Sequence, residues 1–163
     1  MSETRLPLLL VGDFTLQPLA DMLRALPGME AHPVRIAPFD AIRPVLLEQA
    51  ARPESEETVL LVWGRPEGLF AGFRSRLEGN HADLDGILRE VDAFADMVAA
   101  AALRCHAVLV VNWSLAGTSA GGGLTDLSVP DGVAYALLRM NLRLAERLSG
   151  GGGGRSCWIW RLG

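Results

Sequence analysis

The sequence predicts one α/β domain, a three-layer α/β/α sandwich around a five-stranded parallel sheet. Short apolar runs without polar alternation predict strands buried on both faces, as in parallel sheets. Segments with helical periodicity separate these runs, so strands and helices alternate along the chain. The 163 residues, half of them apolar, are enough for one domain with a sizeable core. Right-handed crossovers then favour the flavodoxin-like strand order 2-1-3-4-5.

The predicted elements follow from runs of apolar residues and from stop signals. Strands are predicted at residues 8–11, 34–37, 59–63, 108–111 and 157–160. The first helix, 16–26, ends at Pro27 and Gly28. Asp40 is expected to cap the second helix, in which Pro44 falls in the tolerated first turns. The remaining helices are predicted at residues 83–104, where apolar positions recur at a period near 3.6, and 132–148.

Two stretches are predicted to be irregular. Residues 116–131 are rich in Gly, Ser and Thr and read as a mobile flap or a solvated insertion. Residues 149–154 read as a flexible turn, since no Lys follows and a helix rather than a strand precedes them, unlike a phosphate loop. The sequence ends directly after the fifth predicted strand, without a covering helix. We therefore expect residues 1–163 to be a single α/β domain and a piece of a longer chain.

Composition excludes several classes of function. The net charge of −4 argues against nucleic-acid binding, which needs a basic face. All fifteen basic residues are Arg, so Lys-based catalysis is excluded. The sequence shows neither a signal-peptide pattern nor an apolar stretch long enough to span a membrane, and it predicts a cytoplasmic protein without membrane contact. Cys105 and Cys157 lack metal-ligand spacing, so inert thiols, no metal and no cofactor are expected.

Polar residues collect where the predicted strands end. In a doubly wound sheet, ligands bind at the carboxyl edge beside the point where the strand order reverses. The residues that follow the first, third and fourth strands are therefore predicted to bind a ligand: Asp13, Thr15, Arg65, Glu67, Asn112 and Ser114.

Each of these residues also has a simpler interpretation. Asp13 and Thr15 could cap the first helix. Arg65 and Glu67 could form a surface ion pair of little energetic value. Asn112 could satisfy backbone groups at the strand end. Their convergence on one edge, rather than any single residue, supports the predicted site.

The three histidines are not expected to serve a catalytic triad. His32 and His106 precede the second and fourth strands, and His81 precedes the long helix. We place all three at the amino side of the sheet, away from the predicted site. This argues against Ser-His hydrolysis by this chain alone, and the catalytic residues stay unknown.

Several phrases of the sequence resemble the N-terminal domain of FkbH-like proteins. These phrases are GDFT after the first strand, VRIAPFD, VLLVWGRPEGLF, VLVVNWS and MNLRLAERL. In that family an SGNH-hydrolase-like domain precedes a haloacid-dehalogenase-type phosphatase-like domain, which loads a glyceryl unit onto an acyl carrier protein. The resemblance implies a carrier protein or a phosphatase-like domain as partner, in polyketide or polysaccharide biosynthesis. The DxDxT signature of the phosphatase-like domain is absent from this sequence, so its activity is not carried over.

The sequence departs from SGNH hydrolases at each catalytic position. Phe14 stands where the GDS block has its nucleophilic Ser, and Pro66 stands roughly where the G-x-N-D block has its oxyanion-hole Asn. The D-x-x-H block is missing. Losing a triad member costs orders of magnitude in rate. The resemblance therefore implies a degenerate, non-hydrolytic domain that binds a carrier protein, a partner domain or a small ligand.

Two other functions stay open. An active esterase or acyltransferase could use Thr15 or Ser114 with a base from outside the chain, and a pure protein-interaction module needs no site at all. The ligand class depends on Arg65. A free guanidinium would bind a carboxylate or phosphate, whereas an Asp13–Arg65 pair would neutralise the pocket and favour a neutral polar ligand.

Overall fold

The computed structural model describes residues 5–30, 32–53, 57–114, 125–149 and 156–160. Its strands are β1 (Leu8–Gly12), β2 (Val34–Ile36), β3 (Val59–Trp63), β4 (Ala107–Val111) and β5 (Ser156–Trp160). Its helices are α1 (Gln17–Arg24), α2 (Ile42–Ala51), α3 (Pro66–Leu69), α4 (Ala71–Leu77), α5 (Leu84–Ala102), α6 (Thr125–Ser128) and α7 (Val133–Ser149).

The strands form a parallel sheet with helices on both sides, which confirms the predicted α/β class. The order β2-β1-β3-β4 is the order predicted for these four strands. Leu10 pairs with Leu61, and Leu61 pairs with Leu109, so equivalent positions of β1, β3 and β4 lie side by side. The backbone of β5 runs parallel to β4, with Ala107 opposite Ser156. The side chains of β5, including Cys157, lie outside the described part of the structure.

The predicted helices are present, with ends shifted by one or two residues. Leu16 is the N-cap of α1, and Asp83 is the N-cap of α5, where its carboxylate accepts from the N–H groups of Asp85 and Gly86. The predicted cap of α2 is wrong: Ala41 occupies the N-cap, without a side-chain cap bond. Asp40 instead has φ of 56° and donates its N–H to the carbonyl of Gly12 at 3.2 Å. Asp tolerates this left-handed conformation better than most residues.

Three short helices were not predicted. α3 and α4 occupy the stretch between β3 and α5, and α6 lies inside the predicted loop 116–131. The part of that loop before residue 125 lies outside the described residues, as does most of the predicted turn 149–154. Four-residue helices such as α3 and α6 are too short to show a periodic apolar stripe, which is the signal that predicts longer helices.

The two faces of the sheet are covered unequally. On one face α2, α5 and α7 pack over the sheet, and Leu60, Val62 and Val108 are buried in this main core. The other face, which we call the open face, carries α1 over β1 and β2, with Leu10 and Ala20 buried in a smaller core. The main core depends on helices of 10 to 19 residues, whereas α1 has eight.

An ion pair joins the two longest helices on the covered face. Arg143 of α7 donates from Nε to Asp92 Oδ1 of α5 at 2.7 Å and from Nη2 to Oδ2 at 2.9 Å. This two-bonded geometry is the strongest form of an Arg–carboxylate pair. The hydrogen bond from Arg143 lowers the pKa of Asp92, while burial raises it by less. The pair therefore favours the ionised carboxylate and links α5 to α7.

Candidate functional site

The strands end in register, so the loops that carry the predicted residues leave the sheet at one edge. Gly12 pairs with Trp63, the last residue of β3, and Val62 pairs with Val110. Asp13, Arg65 and Asn112 follow within two residues of these ends. Adjacent strands lie about 4.8 Å apart, so the three loops span roughly 10 Å along this carboxyl edge. The three loops therefore leave the sheet at one edge, and the binding of a ligand there stays a prediction.

Asp13 and Arg65 form the centre of this edge. The Asp13 side chain is 4% exposed, and its Oδ1 accepts from the backbone N–H of Arg65 at 3.0 Å. Its Oδ2 accepts from Arg65 Nε at 3.3 Å, and Arg65 Nη2 lies 3.3 Å from the Asp13 carbonyl oxygen. The Asp13 carboxylate therefore ties the loop after β1 to the loop after β3. It does not cap α1, so that simpler interpretation is wrong for Asp13.

The absence of a side chain at Gly68 leaves room for the Asp13 carboxylate beneath α3. A Cβ added at Gly68 would lie 2.2 Å from Asp13 Oδ2, closer than any real contact between such atoms. The turn of α3 therefore closes directly over the carboxylate because residue 68 has no side chain. Pro66 begins this turn and is buried, with Arg65 at the N-cap. Pro at the first helical position is pre-set for the helix and loses no hydrogen bond there.

Phe14 follows Asp13 at this edge and packs against the aromatic ring that ends β3. Its ring meets the ring of Trp63 edge-on, with centroids 5.3 Å apart. Aromatic pairs in this arrangement contribute about 0.5–1.5 kcal/mol beyond their burial. Phe14 is thus part of the small core beneath the edge, and a hydroxyl nucleophile at this position would have to replace that packing.

Thr15 and Glu67 flank the Asp13–Arg65 pair without joining it. Thr15 is exposed and directly precedes Leu16, whose position as N-cap shows no side-chain cap bond. Glu67 is half-buried in the first turn of α3. The Arg65 guanidinium forms its ion pair with Asp13. The described residues therefore do not form the surface ion pair between Arg65 and Glu67 that the sequence left open.

A residue that was not predicted holds the end of β4. Asn141 of α7 accepts from the Trp113 N–H at 2.9 Å and donates to the Trp113 carbonyl at 2.9 Å. This bond pair fixes the backbone between Asn112, which is half-buried, and Ser114, which is exposed. The sequence shows Asn141 beside the apolar stripe of the last predicted helix, but nothing in it indicates Trp113 as the partner.

Trp113 itself belongs to the core. It is 3% exposed and its ring lies edge-on to Phe70, with centroids 4.8 Å apart. Its indole Nε1–H is buried, and no group among the described residues accepts from it. Trp113 therefore anchors the loop after β4 through packing and through Asn141.

The expected position of His81 is wrong. α5 ends beside the amino end of β4, and its 19 residues span about 28 Å, so its first residue and the preceding loop lie toward the carboxyl edge. There His81 lines a polar concavity of about 260 Å³ together with Asn80, Arg76 and Asp131. Arg76 is 7% exposed and donates to the carbonyls of Ala82 and Pro130, so it braces the loops before α5 and α7.

The other two histidines lie where they were predicted. His32 precedes β2, with its Nδ1 3.2 Å from the Leu6 N–H, and His106 precedes β4.

Within the described ranges, no three His, Cys, Asp or Glu residues are grouped to hold a metal ion. Cys105 is buried, with its Sγ 3.9 Å from Gln49 Oε1, in agreement with an inert thiol. No helix in the described ranges is long and apolar enough to cross a membrane.

Comparison with known proteins adds no identity. No family model, no curated protein and no solved structure matches the chain. The carboxyl-edge site therefore has to be interpreted from its own geometry: a buried carboxylate that pairs with a neighbouring guanidinium, a packed phenylalanine beside it, and polar side chains at the rim.

Proposed function

We propose that this chain is a non-hydrolytic SGNH-like domain of the FkbH-like type, which binds rather than cleaves its ligand. The five-stranded 2-1-3-4-5 architecture of that class belongs to the proposal. The observation that carries it is the use of Asp13, which ties two loops of the edge together instead of activating a nucleophile.

The side chains at the edge support binding over hydrolysis. Covalent catalysis by a hydroxyl needs a base within hydrogen-bond reach of the nucleophile. Phe14 packs against Trp63 at the nucleophile position. Thr15 and Ser114 are exposed, and among the described residues neither is hydrogen-bonded to a histidine. The esterase alternative would require a hydroxyl outside the Phe14 position and a base brought within hydrogen-bond reach of it.

The charges at the edge favour a neutral polar ligand. The Arg65 guanidinium would grip a carboxylate or phosphate if it were free, but Asp13 supplies a negative charge at 3.3 Å. An anionic ligand at this guanidinium would lie beside the Asp13 carboxylate and be repelled by it, and the Arg65 backbone N–H holds that carboxylate in place. An uncharged acyl group with hydroxyls, such as a glyceryl thioester on a carrier protein, avoids this competition. This ligand class follows from the resemblance as well as from the charge.

Hydrolysis of p-nitrophenyl acetate tests the proposal. We expect no turnover above the rate in buffer, and no effect of Thr15→Ala or Ser114→Ala. Turnover that Thr15→Ala or Ser114→Ala abolishes would contradict the proposal and support the esterase alternative. Asn80→Ala, a change at the separate polar concavity, is a matched surface control that should leave any background rate unchanged.

A further inference from the structure

The polar concavity beside α4 does not belong to the carboxyl-edge site. It has a volume of about 260 Å³. Among the described residues, the loop 79–82 before α5 and Asp131 before α7 line it, together with Arg76 of α4. Asn80 and His81 of the first loop are exposed. Pockets for drug-sized ligands have volumes of about 300–1,000 Å³, so this concavity suits a smaller molecule.

Arg76 brings a buried positive charge to the concavity. The residue is 7% exposed, and its guanidinium donates from Nη1 to the Pro130 carbonyl and from Nη2 to the Ala82 carbonyl. These bonds use two of the five N–H donors and fix the guanidinium, but a carbonyl oxygen carries no net charge. Arg76 forms no ion pair with the described residues. Because a buried charge is costly unless an opposite charge pairs with it, Arg76 favours a ligand that supplies a negative group.

Asp131 is the acidic side chain of the described lining. It is exposed and forms no ion pair with the described residues. The carboxylate of Asp126 is already committed, since it accepts from the N–H groups of Val133 and Ala134 at 2.7 and 2.9 Å. Arg76 and Asp131 therefore line one concavity as opposite charges that do not pair with each other.

Backbone hydrogen bonds hold both walls of the concavity in place. The Gly79 N–H donates to the Arg76 carbonyl at 3.0 Å, and Gly79 has φ of 82°, a conformation that favours glycine at the end of a helix. On the other side, the Gly132 N–H donates to the Val129 carbonyl at 2.9 Å and closes the turn that contains Asp131. Walls that are fixed before a ligand binds lower the entropy cost of binding.

We infer that this concavity binds a small zwitterion, of which an α-amino acid is the simplest kind. The carboxylate of the ligand accepts from the remaining N–H donors of Arg76, and its ammonium group donates to Asp131. A simple anion such as phosphate would lie beside the Asp131 carboxylate, and a simple cation would lie beside the Arg76 guanidinium. Like-charge repulsion therefore disfavours both. The inference does not depend on the function proposed for the carboxyl-edge site.

Three matched compounds test the inference. L-glutamine carries both charged groups, glutaramate is the same molecule without the ammonium group, and 4-aminobutanamide is the same molecule without the carboxylate. Each is titrated to millimolar concentration while the backbone amide resonances of the protein are followed by NMR. We expect glutamine to shift the resonances of residues 79–82 and 131–132, and each analogue to bind at least about tenfold more weakly because it lacks one ion pair.

Substitutions locate the two contacts. Asp131→Asn changes an exposed side chain and should weaken glutamine binding about tenfold, while it strengthens glutaramate binding because the repulsion is removed. Asp85→Asn is the matched control, since it removes the same charge from an exposed position in the first turn of α5 that does not line the concavity. Arg76→Gln should abolish glutamine binding, and the exposed Asp131 keeps the test valid if this variant does not fold.

Three results would overturn the inference. The first is an absence of resonance shifts with millimolar glutamine. The second is equal binding of glutaramate, because the concavity would then be an anion site without a role for Asp131. The third is an unchanged glutamine affinity in Asp131→Asn. An equal loss of affinity in Asp85→Asn would likewise contradict it, since net charge rather than a contact with Asp131 would then control binding.

Discussion

Removing Asp13 should cost far more stability than removing Arg65, although the two side chains contact each other. The Asp13 carboxylate is 4% exposed, whereas the Arg65 side chain is 53% exposed. Asp13→Ala leaves the Arg65 backbone N–H without its acceptor, and a hydrogen bond to a charged group contributes about 1.5–3 kcal/mol. Arg65→Ala removes a half-exposed ion pair and leaves that backbone bond in place. Exposed pairs contribute at most about 1 kcal/mol.

Urea unfolding followed by circular dichroism measures the difference. We expect Asp13→Ala to lower the free energy of unfolding by about 2–3 kcal/mol and Arg65→Ala by less than about 1 kcal/mol. Asp13→Asn should lie between them, because the amide oxygen can still accept from the Arg65 N–H. Equal losses for Asp13→Ala and Arg65→Ala, with most of the loss shared in the double variant, would refute this reasoning. The pair would then behave as a buried salt bridge.

Four further substitutions have expected outcomes. Gly68→Ala should lower the free energy of unfolding by about 1–3 kcal/mol in the same assay, because its Cβ would overlap the Asp13 carboxylate. Gly86→Ala in α5, where a Cβ meets only ordinary contacts, should raise it by up to about 1 kcal/mol, and the opposite order would contradict the geometry. Arg143 lowers the pKa of Asp92, so the stabilisation from this pair is present at neutral pH and is lost as the pH falls from about 5 downward. In urea titrations across this range, Asp92→Asn should flatten the acid-side loss of stability, and an unchanged slope would count against the pair. Phe14→Ser should yield no esterase activity toward p-nitrophenyl acetate, since the neighbouring Asp13 carboxylate is already held by Arg65, and measurable turnover would disprove this.

The order of the first four strands could be predicted because it depends on hydrophobic patterns that extend over whole segments of the sequence. Runs such as Val59–Trp63 are apolar at every position, which requires two covered faces, and the crossover rule then limits the order. The same rules placed Asp13, Arg65 and Asn112 on one edge. Sequence spacing alone could not decide between a free and a paired Arg65, because the answer depends on how α3 turns at Gly68.

Other features depend on contacts that the sequence does not encode locally. Asn141 lies 28 residues from Trp113, and only the packing of α7 brings them together. Asp is a common helix-cap residue. The hydrogen bond from the Asp40 N–H to the end of β1 instead holds Asp40 in the turn before α2. The position of His81 depends on the direction of α5. This helix ends beside the amino end of β4, so the loop before it lies toward the carboxyl edge. The open face was not anticipated either, since an unbroken apolar strand indicates two covered faces without saying what covers them.

The melting temperature of the protein with two matched ligands tests the central claim most directly. The account predicts that millimolar phosphoglycerate leaves the melting temperature unchanged, because Asp13 already neutralises Arg65. It also predicts that a neutral glyceryl thioester of N-acetylcysteamine raises the melting temperature and is recovered uncleaved. A rise with phosphoglycerate that Arg65→Ala removes would contradict the neutral site, and release of the thiol from the thioester would contradict a domain that binds without hydrolysis.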